Sequence, residues 1–236
     1  MESNSPLVDY TLLSPNNSGK RILAIDRITP HCVVGQCSVE SLGNIFSQAS
    51  RQGSSNYGIG VDGRVGMYVE EQNRSWCSSS NANDQRAVTI ECASDTRHPY
   101  EMKAVVYEKL IQLCIDICKR HGKKKLLWFP ERLEALSYSV KPDEMLITVH
   151  RWFANRECPG EWLYSRLGEL ADYVTKALNE NGNTKDFTVE TFYKVQLGCF
   201  KQKRNAELLV KQLREAGFED AYIAEVTRST PDGVVC

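Results

Sequence analysis

Residues 149–160 read VHRWFANRECPG, and the reactive site of the fold is expected in this stretch. His150 follows the apolar run MLITV (145–149), and seven residues separate it from Cys158, which directly precedes Pro159 and Gly160. An imidazole and a thiolate are both good zinc ligands, and a strand end followed by a short loop could bring them to one ion. The alternative is a core histidine and a buried cysteine that never meet.

Short apolar runs alternate with helical patterns over the first 178 residues. Strands are predicted at 21–26, 28–34, 56–61, 64–69, 87–92 and 145–149. Helices are predicted at 38–52, with Ser38 as the N-cap, at 99–120 and at 161–178. This order indicates an α/β fold, in which a mixed central β-sheet is flanked by helices. The ligand crevice of such a sheet lies outside the strand ends, where His150 is expected.

Two polar side chains interrupt the apolar strand patterns. His31 lies in ITPHCVV (28–34), where a histidine is more often packed or hydrogen-bonded than metal-bound. Its neighbour Cys32 points to the opposite face of a strand, so these two side chains cannot converge on one ion. Glu91, in AVTIEC (87–92), shares a face with Thr89. A carboxylate there needs a partner or a function if it is buried, whereas on an edge strand it would face water.

Composition excludes several classes of protein. The net charge of −1 over 236 residues argues against a nucleic-acid binder, and no nucleic-acid recognition motif is present. No stretch approaches the roughly 18 to 20 apolar residues of a membrane span, and residues 1–21 lack a signal-peptide pattern. We therefore expect synthesis in the cytoplasm without a signal peptide and no membrane partner. The nine cysteines lack disulfide-framework spacing, so most are expected to be reduced core residues.

Four motifs in order, TPHCVVG, NYGIGVDGRV, NDQRAVTIE and HRWFANRECPG, together resemble a known family. They are similar to the zinc-dependent N-acetylmuramoyl-L-alanine amidases, which include phage endolysins and the animal peptidoglycan recognition proteins. The resemblance covers about residues 20 to 178. It implies zinc (Zn2+) ligands at His31, His150 and Cys158, with Glu91 as the catalytic carboxylate. Two histidines and one cysteine leave a fourth tetrahedral position open for water, as catalytic zinc requires.

The same resemblance implies cleavage of the amide bond between N-acetylmuramic acid and L-alanine in bacterial peptidoglycan. Arg156 stands where many relatives have a lysine or threonine, and its fixed charge suits a developing oxyanion. Ser55 stands where many relatives have a tyrosine, and with Asn56 and Tyr57 it forms the expected substrate-binding segment. Tyr57 is the candidate replacement for that tyrosine. Two alternatives stay open: a non-catalytic peptidoglycan-binding homologue, and a zinc hydrolase acting on another amide.

The remainder of the chain predicts a linker at 179–189 and a second module at 190–236, after an amidase domain at 1–178. The module reads FYKVQLGCF, a helix at 205–216 and AYIAEV, which resembles the first half of a SPOR domain, a binder of peptidoglycan glycan strands. Six Lys and Arg outnumber two Glu over 191–217. Exposed strand edges in this half-length βαβ module predict a homodimer or packing on the amidase domain. The two-module plan resembles a phage or prophage endolysin, which reaches the wall after release by a holin.

Overall fold

The computed structural model describes residues 4–180, 197–198, 200–218 and 221–223. The chain divides into two compact units, Met1–Val189 and Glu190–Cys236. The division into residues 1–178, 179–189 and 190–236 stays a prediction.

The described part of the first unit contains nine strands. They are β1 (Val8–Thr11), β2 (Asn17–Lys20), β3 (Arg27–Cys32), β4 (Tyr57–Ile59), β5 (Val65–Met67), β6 (Asn73–Ser75), β7 (Ala87–Cys92), β8 (Lys125–Leu127) and β9 (Glu144–Ile147). Seven of them form one sheet in the order β1-β5-β4-β7-β3-β9-β8. Only β4 and β5 pair antiparallel in this sheet, and β2 and β6 form a separate antiparallel pair. The predicted mixed central sheet is confirmed.

Six helices of this unit accompany the sheet in the described residues. They are α1 (Val39–Phe46), α2 (Asn81–Asp84), α3 (Ala104–Arg120), α4 (Arg132–Ser137), α5 (Glu161–Tyr164) and α6 (Leu167–Asn179). Short 3-10 turns lie at Ala49–Arg51 and His150–Trp152. Ser38 is the N-cap of α1, as predicted, because its Oγ accepts a hydrogen bond from the N–H of Ser41 at 3.2 Å.

The two faces of the central strands differ in chemistry. β3 and β7 pair in parallel, so that Ile28 lies beside Val88 and His31 lies beside Glu91. Ile28 and Val88 join the main hydrophobic core, which also contains the buried faces of α3 and α6. His31 and Glu91 lie on the opposite face, because successive strand residues alternate. Since β3, β7 and β9 are parallel neighbours, their carboxyl ends meet at one edge of the sheet.

Three predicted elements need correction, whereas the predicted hairpin is confirmed. Residues 21–26 form no strand, because Ile22 is 82% exposed and no apolar layer covers it. The strand that precedes these residues is β2, at Asn17–Lys20. Helix α3 begins at Ala104, not at residue 99, because Tyr100 has the left-handed φ of 63°, which a right-handed helix excludes. The helix predicted at 161–178 is divided into α5 and α6. The β4–β5 hairpin turns at Gly63, whose φ is 81°.

The second unit contains the helix α7 (Lys203–Glu215), which corresponds to the helix predicted at 205–216. It ends before Gly217, whose φ of 96° is typical of a glycine that follows a helix. The strands predicted at 192–200 and 221–226 lie largely outside the described residues, and residues 197–198, 200 and 221–223 are not in strands. No helix in the described ranges combines the length and apolar character that a membrane crossing requires.

Candidate metal centre

Three side chains from distant parts of the sequence converge at the carboxyl edge of the sheet. One ligand atom from each of His31, His150 and Cys158 lies within 4.8 Å of the other two. The Sγ of Cys158 is 3.2 Å from the Nδ1 of His31, and the two imidazole rings are 5.1 Å apart between centroids. The structure therefore brings together the two histidines and the cysteine that the family resemblance implied as ligands.

The segment between His150 and Cys158 is held by its own backbone and by Arg151. His150 begins a 3-10 turn just beyond β9, and the N–H of Arg151 donates to the carbonyl of Cys158 at 3.1 Å. The Arg151 guanidinium also donates to the carbonyl of Glu157 at 2.6 Å. Gly160 closes the loop with a φ of 83°, and a Cβ there would lie 3.0 Å from the side chain of Tyr100. This loop therefore has little freedom to separate the two ligands.

The electrostatics favour cation binding. Burial and the neighbouring His150 lower the pKa of His31 to about 3, and burial and Arg156 lower the pKa of His150. Both imidazoles are therefore neutral near pH 7, the form in which histidine binds metals. Burial raises the pKa of Cys158 well above the ordinary value of a thiol, so cation binding would release its proton.

The donor set fits zinc. With Zn–S near 2.3 Å and Zn–N near 2.1 Å, two ligand atoms of a tetrahedral ion are about 3.6 Å apart. The 3.2 Å between Cys158 Sγ and His31 Nδ1 is close to this value. The Nε2 of His31 is buried and has no hydrogen-bond partner among the described residues.

Glu91 lies beside this ligand set. Its Oε1 is 4.0 Å from the Nδ1 of His31, as their pairing across β3 and β7 requires. Burial raises the pKa of Glu91 to about 7, although the side chain is still 18% exposed. A carboxyl group with this pKa can accept and return a proton at neutral pH.

Cys77 is a site residue that the sequence reasoning missed. Its Sγ is 3.7 Å from the Oε1 of Glu91, and Cys77, Glu91 and His31 form a second group whose ligand atoms lie within 4.8 Å of one another. A cysteine within a small polar loop was the available signal, but loop residues have no periodicity that predicts their direction.

Buried Asp84 anchors the loop that carries Cys77. Its carboxylate accepts the backbone N–H of Cys77 at 3.0 Å and that of Ser78 at 3.1 Å. Two residues along, the Oγ of Ser79 lies 3.1 Å from the Nε2 of His150. The loop therefore contacts both the candidate ligand His150 and the carboxylate of Glu91.

The expected substrate-binding segment needs correction. Ser55, Asn56 and Tyr57 are all fully buried. Tyr57 pairs with Ile90, so it lies on the face opposite Glu91, and its hydroxyl donates to Glu71 at 2.6 Å. The geometry therefore indicates that this segment supports the sheet and does not contact a substrate.

The polar groups of Ser55 and Asn56 are occupied within the protein. The Oγ of Ser55 donates to the carbonyl of Tyr57 at 2.7 Å, and the side chain of Asn56 accepts the N–H of Thr89 at 3.1 Å. By contrast, Arg156 is exposed and lies close enough to His150 to lower its pKa. Arg156 therefore remains available to a substrate.

Comparisons with known proteins agree with this geometry. The sequence profile of the N-acetylmuramoyl-L-alanine amidase family matches residues 21–161, and that of the SPOR domain matches residues 189–234. No curated protein matches the chain. Among solved structures, a mutant endolysin from Bacillus subtilis is similar with a TM-score of 0.51 and 11% identity, covering 71% of this chain and 99% of that one. The catalytic domain of XlyA has a TM-score of 0.50 and 11% identity, with 70% and 97% covered. These likenesses show a shared fold.

Proposed function

Because the chain belongs to the N-acetylmuramoyl-L-alanine amidase family, we propose that it is a zinc-dependent hydrolase of bacterial peptidoglycan that cuts the bond between N-acetylmuramic acid and L-alanine. One observation carries the proposal: two histidines and a cysteine converge at one point, and the carboxyl group of Glu91 lies 4.0 Å from His31. A merely structural zinc site would close its fourth position with a further protein ligand and would need no such carboxyl group.

His31, His150 and Cys158 would hold the zinc ion. When bound, zinc supplies Lewis acidity, which makes water more acidic and polarises a carbonyl oxygen. Glu91 accepts a proton from the attacking water while the hydroxyl group adds to the lactyl carbonyl carbon. The carbon–nitrogen bond then breaks, and Glu91 returns the proton to the departing amine of L-alanine. The products are a free lactyl carboxylate and a peptide with a new amino terminus.

Arg156 is proposed to stabilise the negative charge that develops on the carbonyl oxygen. Its guanidinium is exposed at the loop between the two ligands His150 and Cys158, and it offers several hydrogen-bond donors. Charge stabilisation of this kind typically contributes about 10²- to 10³-fold to the rate constant of the chemical step. In this proposal Arg156 stabilises the developing negative charge, whereas Glu91 transfers the proton.

Two substitutions test the proposal. Glu91→Gln should retain about one zinc per chain but lower hydrolysis of purified walls by about 10²- to 10⁴-fold, because the amide cannot accept the proton. Cys158→Ala should lose the metal. Glu169→Gln is the matched control, since Glu169 is exposed on α6. Zinc content by atomic emission and turbidity of wall suspensions measure the two properties, and full lysis by Glu91→Gln would remove this residue as the base.

The released chemical groups separate the alternatives. The amidase should generate new amino termini on L-alanine without new reducing sugars. A non-catalytic binding homologue would generate neither, and a hydrolase of another amide would generate amino termini on a different residue. Absence of the L-alanine termini from zinc-loaded protein would contradict the proposal.

The second module is proposed to bind the wall polymer, which its similarity to SPOR domains and its basic composition over 191–217 support. We further propose a role in wall lysis as a phage or prophage endolysin, with holin-dependent release. A homodimer through this module stays a prediction, and sedimentation of the full chain tests it.

A further inference from the structure

The second ligand group, Cys77 with Glu91 and His31, shares His31 with the first group and adds two ligand atoms that the first group does not use. The 3.7 Å between Cys77 Sγ and Glu91 Oε1 nearly equals the roughly 3.6 Å edge expected between a sulfur and an oxygen ligand of one tetrahedral zinc ion. His31 contributes a nitrogen within 4.8 Å of both atoms. A thiolate, a carboxylate and an imidazole together suit a thiophilic divalent cation such as Zn2+ or Cd2+.

Cys77 is partly exposed, and together with Trp76, Ser79 and Asp84 it lines a surface cavity of about 210 Å³. The backbone contacts of Cys77 and Ser78 with Asp84 hold the loop in place, so the thiol is already positioned beside Glu91.

We propose that Cys77 and Glu91 form a second, inhibitory cation site beside the catalytic one. Its inhibitory consequence rests on the proposed function, because the second cation would occupy the carboxylate that accepts the proton from water. When His31 binds the first cation, the second cation has only Cys77 and Glu91 as protein ligands. It therefore binds more weakly than the first cation. Its binding releases the thiol proton of Cys77 to solvent. The cation therefore acts only when it is present in excess of the catalytic metal.

Cation binding is measured on the full chain loaded with one zinc per chain and then dialysed against increasing Cd2+. Bound metal is counted by atomic emission, and the ultraviolet charge-transfer band reports thiolate ligation. Cys77→Ser should bind one cation fewer than the wild type, or bind that cation at least about tenfold more weakly, since a hydroxyl is a poor ligand for Cd2+. Glu91→Gln should weaken the same cation. Cys37→Ser is the matched control, because Cys37 is partly exposed and belongs to neither ligand group.

The proposal is wrong if Cys77→Ser binds as many Cd2+ ions as the wild type, and binds them equally tightly. Thermal unfolding of each variant checks that the fold is intact. In wall hydrolysis, excess Zn2+ should lower the rates of the wild type and Cys37→Ser, each relative to its own rate with one zinc per chain, at concentrations that leave the rate of Cys77→Ser unchanged relative to its own. If the wild type and both cysteine variants all fail to hydrolyse walls, the proposed function is wrong. The difference in bound cadmium between the wild type and Cys77→Ser still decides whether the second site exists.

Discussion

At the scale of single residues, Asn83 connects most of the polar groups below the metal centre. Its Nδ2 donates to the hydroxyl of Thr29 at 3.0 Å and to that of Ser78 at 3.2 Å. Its Oδ1 accepts from the hydroxyl of Thr148 and from Arg27, each at 3.0 Å. Thr29 and Thr148 lie two residues before His31 and His150, so this one amide fixes the backbone behind both histidines.

Asn83→Ala should therefore weaken both the fold and the metal site. Loss of the amide leaves several buried polar groups without their partner, which should lower the free energy of unfolding by about 3 kcal/mol. Metal affinity should fall about 10- to 100-fold, as is usual when groups that support metal ligands are removed. Denaturant unfolding and competition with a chelator measure the two effects.

Asn81→Ala is the control for Asn83→Ala, since Asn81 is exposed on the same short helix α2. It should change the free energy of unfolding by less than about 0.5 kcal/mol. Unchanged metal affinity in Asn83→Ala would show that the histidines are held without the amide network.

Residue by residue, the sequence predicted the site unevenly. The resemblance to the amidase family predicted His31, His150 and Glu91, and each of them lies in or directly after an apolar run. Cys77 was missed because its position depends on contacts with Asp84, which no local pattern encodes. Tyr57 was misplaced because its face is set by pairing with β7, and that register is a tertiary property.

At the scale of elements, a buried ion cluster joins the hairpin region to the end of α3. Glu71 is fully buried between Arg120, whose Nη1 donates at 2.9 Å, and His121, whose Nε2 is 2.9 Å away. Tyr57 of β4 donates to the same carboxylate, and Tyr57 also accepts the N–H of Ser5. One carboxylate therefore connects β4 with the carboxyl end of α3, and through Tyr57 it is linked to the amino-terminal segment.

Glu71→Gln should lower the free energy of unfolding by about 3 kcal/mol at pH 7, because Arg120 and His121 lose their ion pairs with a fully buried carboxylate. Burial raises the pKa of Glu71, but hydrogen bonds from His121 and Arg120 lower it by more. The pKa of Glu71 therefore lies below the ordinary 4.5. The stabilisation is therefore fully present above about pH 4.5 and is lost as pH falls through the lowered pKa. Urea unfolding at pH 7 and pH 3 should show the difference between wild type and variant shrinking at the lower pH.

Glu70→Gln is the matched control for Glu71→Gln, since Glu70 is only partly buried beside it. It should change the free energy of unfolding by less than about 0.5 kcal/mol at either pH. A difference between wild type and Glu71→Gln that grows as the pH falls would contradict the assigned pKa direction.

Element boundaries were predictable where periodicity and turn chemistry agreed. The β4–β5 hairpin and the N-cap Ser38 follow directly from Asp62-Gly63 and from a serine before an apolar stripe. The strand predicted at 21–26 was wrong because no apolar layer covers Ile22 and Leu23, and exposure is decided by the rest of the fold. β2 could not be predicted from NSGK, since its pairing with β6 supplies the strand geometry.

At the scale of the whole molecule, the described sheet and the main hydrophobic core belong to the first unit. The candidate metal ligands, Glu91 and Arg156 all lie between residues 31 and 158. The second unit contributes α7, none of whose residues is buried. Catalysis and wall retention are therefore expected to be separable by truncation.

A fragment of residues 1–189 should unfold at the temperature of the first unit in the full chain and bind the same amount of zinc. It should hydrolyse soluble muropeptides at the full-length rate, because the candidate metal ligands, Glu91 and Arg156 all lie between residues 31 and 158. Its retention on intact walls should fall at least about tenfold, since the linked second module raises the local concentration of the enzyme at the polymer. Co-sedimentation with purified walls measures retention, and the soluble substrate serves as the internal control. Equal wall retention by the fragment and the full chain would show that the second module does not bind the wall, whereas slower hydrolysis of muropeptides would show that it contributes to the catalytic site.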